Sequence, residues 1–389
     1  MNLVFISGLT IFFGGALALF LFQNKKMSNF IYAASLFLGS VLGIFGVFPC
    51  LLGGDKFVFH YQSHIPFLHF SFVLDPLSSF FLLFLFVIAP FISLYGISYL
   101  KGMSGFRLVF CNFFFNVLFS SMIFLLISAN ALLFLFFWEL MALSSFILVL
   151  AEKSDEKSRK AAWIYFTATH IGTCFIIAFF MLLFKGVSKM DFYLCSIVNP
   201  KISSVLFIFA LIGFGSKAGI IPFHAWLPEA HPAAPSHVSA SMSGIMIKMG
   251  IYGLLRVLFL IANLPPLWWG IVLVLLGGLS AFLGALLTVS QNELKRLLAY
   301  CSIENIGIIF MGIGIGFIGK TTNCIPLEIL GFGGALLHVF NHAVFKSLLF
   351  LGAGSVLHSY GTLFINELGG LQKKMPLTGT TFLISSAAI

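Results

Sequence analysis

Apolar runs of about twenty residues recur along the whole chain, separated by short polar stretches or by proline and glycine. They do not alternate, and their length suits a membrane-crossing helix rather than the roughly ten-residue strand of a barrel. Hydropathy and helix breakers predict helices over 3–22, 29–50, 72–100, 107–128, 130–151, 161–184, 202–227, 236–262, 267–290, 295–318 and 327–358. A twelfth starts near Pro376 and is still apolar at Ile389, so the chain is expected to be a fragment or to lack its C-terminus. Leu3–Phe22 has neither a basic flank nor a small-residue cleavage site and reads as a retained first helix. Asp75, ahead of Pro76, has the pattern of an N-cap.

Composition narrows the class. Of 389 residues, 60% are hydrophobic, 8% are charged and 50 are phenylalanine, and the mean hydropathy is +1.09. A soluble domain carries about 25% charged residues, which excludes a soluble enzyme, a DNA-binding module or a disordered scaffold as the whole chain. An all-α polytopic membrane protein remains, because only helices and closed barrels satisfy their backbone in lipid. The net charge of +9 then belongs to loops that set topology, not to nucleic acid.

Lys25, Lys26, Lys101, Arg107, Lys153, Lys157, Arg159, Lys160, Lys295, Arg296, Lys373 and Lys374 fall on one side of the predicted spans. Lys56, Lys185, Lys189, Lys201 and Lys320 fall on the other. That bias predicts an outside N-terminus and a cytoplasmic 152–160 loop, although Glu152, Asp155 and Glu156 dilute it. Cys50, Cys111, Cys174, Cys195, Cys301 and Cys324 are scattered singly, with no disulfide framework, zinc site or iron–sulfur spacing.

Glu139, Lys217, Lys248, Glu304 and Lys346 fall near the middle of predicted spans. At about 2.5–3.5 kcal/mol for each central charge, the five cost roughly 12–17 kcal/mol, the size of a whole domain's stability. Pairing, hydration or neutralisation removes part of that cost. The remainder marks these residues as a proton or ion path. Lys217 lies in GFGSKAGIIPFHAW, a helix interrupted by Gly213, Gly215, Gly219 and Pro222. Irregular backbone at membrane depth survives only inside protein or around water, and an ionisable residue at such a break points to a transport site.

His338, His342 and Lys346 follow one another at i, i+4 spacing. Each step rises about 6 Å and turns about 40°, so the three share a face suited to passing protons. Glu304 admits a structural alternative, as the partner of a lysine elsewhere. Pro222, Pro228, Pro232 and Pro235 forbid a continuous helix around His224, His231 and His237, and His231 and Glu229 read as loop-shaping residues. His170 reads as a hydrogen-bonded core residue. Two histidines one turn apart on a single helix do not suit a haem, and the HxxxH spacing lacks the glutamate of a zinc protease motif. No phosphate-cradling loop or dinucleotide fingerprint is present, so no cofactor is expected.

The segments FWELMALSSFILV, GFGSKAGIIPFHAWLPEAHPAAPS, IKMGIYGLLR, NELKRLLAYCSIENIGIIFMGIG, NHAVFKSLLFLGAGSV and ELGGLQKKMP together resemble the antiporter-like membrane subunits of respiratory complex I and of Mrp-type antiporters. The resemblance covers roughly residues 70–376. SIENIGII and PPLWWGI look like the large membrane subunit of formate hydrogenlyase and hydrogenase-4. It implies two inverted five-helix repeats, each with a broken helix: N-terminal helices over 1–100, a first repeat over 101–262, and an incomplete second over 263–389. Glu139 then matches the glutamate of the fifth helix, Lys217 the lysine of the broken seventh, and Lys248 the lysine of the eighth. His338, His342 and Lys346 match the His/Lys face of the eleventh helix, and the ionisable residue of the second broken helix falls beyond Ile389. The implied role is proton translocation in a bacterial inner membrane, beside other membrane subunits and a peripheral hydrogenase or dehydrogenase arm, without nucleic acid. The alternatives are a sodium/proton antiporter or ion-coupled uptake subunit without a redox partner, and a degenerate structural remnant.

Overall fold

Four helices begin where a short polar side chain accepts a free backbone N–H of the first turn. Asn24 Oδ1 accepts from Met27 N (3.1 Å), Asp75 Oδ1 from Ser78 N (2.9 Å), Asn130 Oδ1 from Leu132 N (3.0 Å) and Asp155 Oδ1 from Ser158 N (2.8 Å). The Asp75 cap is the one its sequence pattern predicts. The computed structural model describes residues 1–21, 23–54, 56–62, 69–103, 105–151, 155–187, 189–192, 200–262 and 264–389. Glu152 and Lys153 of the predicted cytoplasmic loop, and Cys195, lie outside the described residues.

The protein is an all-α polytopic membrane protein. Among the described residues, ten helices are long and apolar enough to cross a bilayer. The elements in order are α1 (Asn2–Phe20), α2 (Lys25–Gly53), β1 (Phe57–Gln62), β2 (His69–Leu74), α3 (Pro76–Tyr99), α4 (Gly105–Ile127), α5 (Ala131–Leu150) and α6 (Glu156–Leu183). There follow α7 (Pro200–Ala218), α8 (Leu227–Ala233), α9 (Ser236–Ser241), α10 (Ile247–Ile261), α11 (Leu267–Val289), α12 (Leu294–Thr321), α13 (Ile325–Tyr360), α14 (Leu371–Lys374) and α15 (Pro376–Ala387). Residues 1–159 with 177–196 form one compact unit, and residues 160–176 with 197–389 form another.

In the first unit, α1 packs against α2 and α4, α2 against α3, and α4 against α5. Small and polar residues let these helices approach and bond across the apolar interior. Asn116 Nδ2 of α4 donates to Ile11 O (3.0 Å) and to Ser35 Oγ (2.9 Å), and Ser120 Oγ donates to Gly8 O (2.9 Å). In the second unit α11, α12 and α13 pack in sequence and α10 packs on α7. Gly277 of α11 meets the backbone of α12 at Gly307, whose carbonyl oxygen would lie 2.6 Å from any added Cβ. Only glycine permits that approach.

Three sequence expectations change. The span predicted over 72–100 starts at Pro76, because HFSFVL forms β2 and pairs antiparallel with β1, Phe57 opposite Leu74 and Gln62 opposite His69. Its aromatic and β-branched residues favour a strand, and the Asp-Pro step restarts the chain as helix. The span predicted over 202–227 ends at Ala218 and resumes as α8. The span predicted over 236–262 is interrupted by a π-helical turn at Met242–Met246. Nothing in MSGIM forbids an α-helix, so hydrophobic period alone does not reveal that turn.

Candidate membrane-embedded proton site

The break after α7 follows from its residues. Gly219 adopts φ +82°, a left-handed conformation that side chains disfavour, and an added Cβ would run into Leu227 Cδ1. Gly219 N (2.8 Å) and Ile220 N (3.2 Å) both donate to Gly215 O, so the helix closes at Gly215 and the interruption begins at Gly219. Pro222 has no N–H to continue it. Freed backbone groups find internal partners: Ile221 N donates to Ser280 Oγ of α11 (3.0 Å), and Trp226 Nε1 donates to Ser216 O (2.8 Å). Non-helical backbone is thus tolerated at this depth by burial inside protein.

Lys217 sits on the last turn before the break and is 1% exposed. Its Nζ donates to the Tyr165 hydroxyl of α6 at 2.8 Å and stands 5.1 Å from that ring's centroid. Tyr165 in turn packs at 4.9 Å from Trp226 and reaches Met246 Sδ (3.7 Å) in the π-helical turn. The ammonium thus meets a neutral oxygen and an aromatic face from Tyr165.

Lys248 is fully buried on α10, two residues past the π-helical turn's end. Its Nζ donates to Ser243 O, a carbonyl within that turn, while Ser243 Oγ and Ser302 Oγ of α12 lie 2.9 Å apart. π-turns of this kind recur at functional positions. On α13, Lys346 is fully buried and its Nζ donates to Leu298 O (3.3 Å), with the Cys301 thiol in reach and Glu304 near enough to act on its charge. Glu304, half-buried, thus lies within electrostatic reach of Lys346.

His338 and His342 stand with ring centroids 6.5 Å apart along α13. His338 is half-buried and its Nε2 lies 2.9 Å from Asn305 Oδ1 of α12. His342 is fully buried, no protein atom bonds either ring nitrogen, and both Lys248 and Lys346 act on its charge. The structure thus brings Lys248, His338, His342, Lys346 and Glu304 into one cluster, with Lys217 and Tyr165 at the neighbouring break of the same unit. Glu139 belongs to the other unit, half-buried on α5 beside the buried Trp138.

Several buried polar residues escape sequence reasoning. Tyr165, Thr169 and Thr173 form a polar stripe at i, i+4 spacing, a signal that was present. Lys295 does not stay in a loop: it is fully buried and its Nζ donates to Ala234 O at the end of α8 (2.7 Å). The next residue, Arg296, pairs through Nη2 with Glu229 Oε1 at 2.6 Å. Glu229 and His231 lie in α8 rather than in an irregular loop. His231 is fully buried, its ring 4.9 Å from that of Phe350, within electrostatic reach of Lys295, Lys346 and Lys248. Its depth comes from α8 folding back into the unit, which local sequence does not show.

The model of the family described as NADH:quinone oxidoreductase/Mrp antiporter, transmembrane region, matches residues 128–389. The chain belongs to this family. It is 37% identical over 381 residues to hydrogenase-4 component B of Escherichia coli K12, covering 97% of the chain and 56% of that protein. Formate hydrogenlyase subunit 3 of the same organism is 33% identical, with 98% and 61% covered. The chain thus spans somewhat over half the length of these curated relatives. In fold, this NADH:quinone oxidoreductase/Mrp-type chain superposes on a chain of an archaeal membrane-bound sulfane sulfur reductase complex. The TM-score is 0.87 at 20% identity, covering 100% of this chain and 78% of that one. It also superposes on a chain of the Mrp complex from Dietzia sp. DQ12-45-1b, at TM-score 0.83 and 23% identity, with 100% and 43% covered. The resemblance read from the motifs, with its leaning to hydrogenase-4, therefore holds.

Proposed function

We propose that the chain moves protons as a membrane subunit of a hydrogenase, formate hydrogenlyase or complex I-like oxidoreductase in a bacterial inner membrane. Its partners are other membrane subunits and a peripheral hydrogenase or dehydrogenase arm, which carries the electron chemistry. One observation carries this reading. Lys217, Lys248 and Lys346 are all buried in one unit, and each Nζ donates to a neutral oxygen: Tyr165 Oη, Ser243 O and Leu298 O. A buried lysine that reaches a neutral oxygen can give up its proton without leaving that acceptor charged, which suits a proton carrier. Lys217 is the carrier at the break, and Lys248 relays toward the His338, His342 and Lys346 face. Glu304 supplies a negative charge that tunes Lys346, and Glu139 keeps the place on the proton path that the family resemblance gives it. The division into helices 1–100, a first inverted repeat over 101–262 and a second over 263–389 belongs to the same proposal, supported by the break at Gly219–Trp226.

Tyr165→Phe tests the carrying observation, because it keeps the ring against Trp226 and removes only the hydroxyl. A hydrogen bond to a charged group is worth about 1.5–3 kcal/mol, so pumping is expected to fall by roughly an order of magnitude with assembly unchanged. Wild-type pumping would remove Tyr165 as the lysine's working partner.

The orientation we propose has the N-terminus outside and the 152–160 loop cytoplasmic. The ends of α6 test it, since 28 residues of helix extend about 42 Å and reach both membrane faces. A cysteine in place of exposed Lys157 is expected to stay shielded from an impermeant thiol reagent in intact cells, and one in place of exposed Lys185 to react. The reverse labelling pattern would invert the topology.

A further inference from the structure

Asn305 is a buried amide that the proton path above does not use, and its two ends have different partners. Its Nδ2 donates to Cys301 O, one turn back on α12, at 2.8 Å, and to Cys301 Sγ at 3.6 Å. A backbone carbonyl only accepts, so the amide nitrogen must face Cys301. Turning the amide over would set two carbonyl oxygens against each other. Oδ1 is therefore the atom that faces His338 Nε2 at 2.9 Å. An amide oxygen has no proton to give, so Nε2 must carry the hydrogen of that bond. In a neutral imidazole the other nitrogen, Nδ1, is then bare.

We propose that Asn305 is a positioning residue that fixes His338 as its Nε2–H tautomer and leaves Nδ1 as the atom that takes up the transported proton. The proposal rests on His338 lying on the proton path. The chain of constraint starts at a backbone carbonyl, which no side-chain motion removes. It runs from Cys301 O through the Asn305 amide to His338 Nε2, and it orients the ring as well as choosing its proton. Cys301 thus contributes chiefly through its backbone carbonyl, the thiol being the longer of its two contacts with the amide.

The charged and titratable groups around the ring come from several elements. Lys248 of α10 acts on His338 directly, and His342 lies next along α13 with a centroid distance of 6.5 Å. Lys346, further along α13, is met by Glu304 of α12. His237 of α9 faces Lys295 instead, and α15 has no titratable side chain. Among the described residues no carboxylate is bonded to His338, and its hydrogen-bond partner is the neutral Asn305 amide.

Two readouts test this on the full chain in its native membrane. In the first, histidine is labelled with nitrogen-15, and the His338 signal is identified by its disappearance in His338→Gln. The neutral ring is expected to show a protonated Nε2 and a bare Nδ1 in wild type, and a mixture of both tautomers in Asn305→Leu. A neutral His338 with its proton on Nδ1 in wild type, or a tautomer unchanged in Asn305→Leu, would overturn the proposal. In the second, Asn305→Asp keeps an acceptor at the same place but adds a charge. It is expected to retain pumping while displacing its pH profile by about one unit, whereas Asn305→Leu loses at least half of it. Equal pumping and an equal profile in both variants would also overturn it. The spectroscopic readout does not depend on transport, so a membrane that pumps nothing sinks the proton-path reading while the tautomer remains measurable.

Discussion

Lys217→Met is expected to abolish proton movement, at least tenfold, in a complex that still assembles to wild-type levels. Methionine keeps most of the side chain's length and fills the same space against Tyr165, but it cannot hold a proton. Lys217 is 1% exposed, so the wild-type ammonium bears a desolvation cost that the variant does not. Insertion and stability therefore stay level or improve. Loss of pumping together with loss of the protein would instead signal a structural role. Quenching of a pH-sensitive dye in inverted vesicles, with the amount of assembled complex measured in parallel, separates these outcomes. Wild-type pumping by an assembled Lys217→Met complex would end the assignment of Lys217 as carrier.

Gly219→Val is expected to do the opposite and remove the protein itself. At φ +82° a β-branched residue bears about 1–2 kcal/mol of backbone strain. Its Cβ also displaces Leu227, which adds about 1–3 kcal/mol of overpacking. Moving Leu227 aside relieves only the second cost. A total of roughly 2–5 kcal/mol is a large part of a domain's stability, so the assembled chain recovered in mild detergent should drop severalfold. Gly215→Ala is the control. Its added Cβ would meet Ile220 Cγ2 at 3.1 Å inside regular helix, and recovery should stay near wild type. Equal recovery of Gly219→Val would mean that the break does not need its left-handed turn.

The spans were legible because each is a long apolar run, and the cap at Asp75 is local chemistry. Buried charge was legible for the same reason: Lys217, Lys248 and Lys346 interrupt runs that should hold none. Their partners were not. Tyr165 meets Lys217 from 52 residues away, and Asn305 meets His338 from 33 residues away, so only the packed unit brings them together. Lys295 read as a loop cation because it opens an apolar span, yet α8 folds back and places Ala234 O over it. The paired strands Phe57–Gln62 and His69–Leu74 were not legible because β2 is apolar enough to merge with the helix that follows. The π-helical turn at Met242–Met246 has no sequence signature, yet it supplies the carbonyl that Lys248 binds.

The most direct test of proton movement coupled to electron transfer is a vesicle measurement on the complete complex, in sodium-free medium with an electron donor supplied. We expect the vesicle interior to acidify as electrons flow, with the gradient collapsing on addition of an uncoupler and the rate insensitive to added sodium. Electron flow without acidification, or proton movement that appears only when sodium is added and needs no donor, would contradict the account and favour a sodium/proton antiporter.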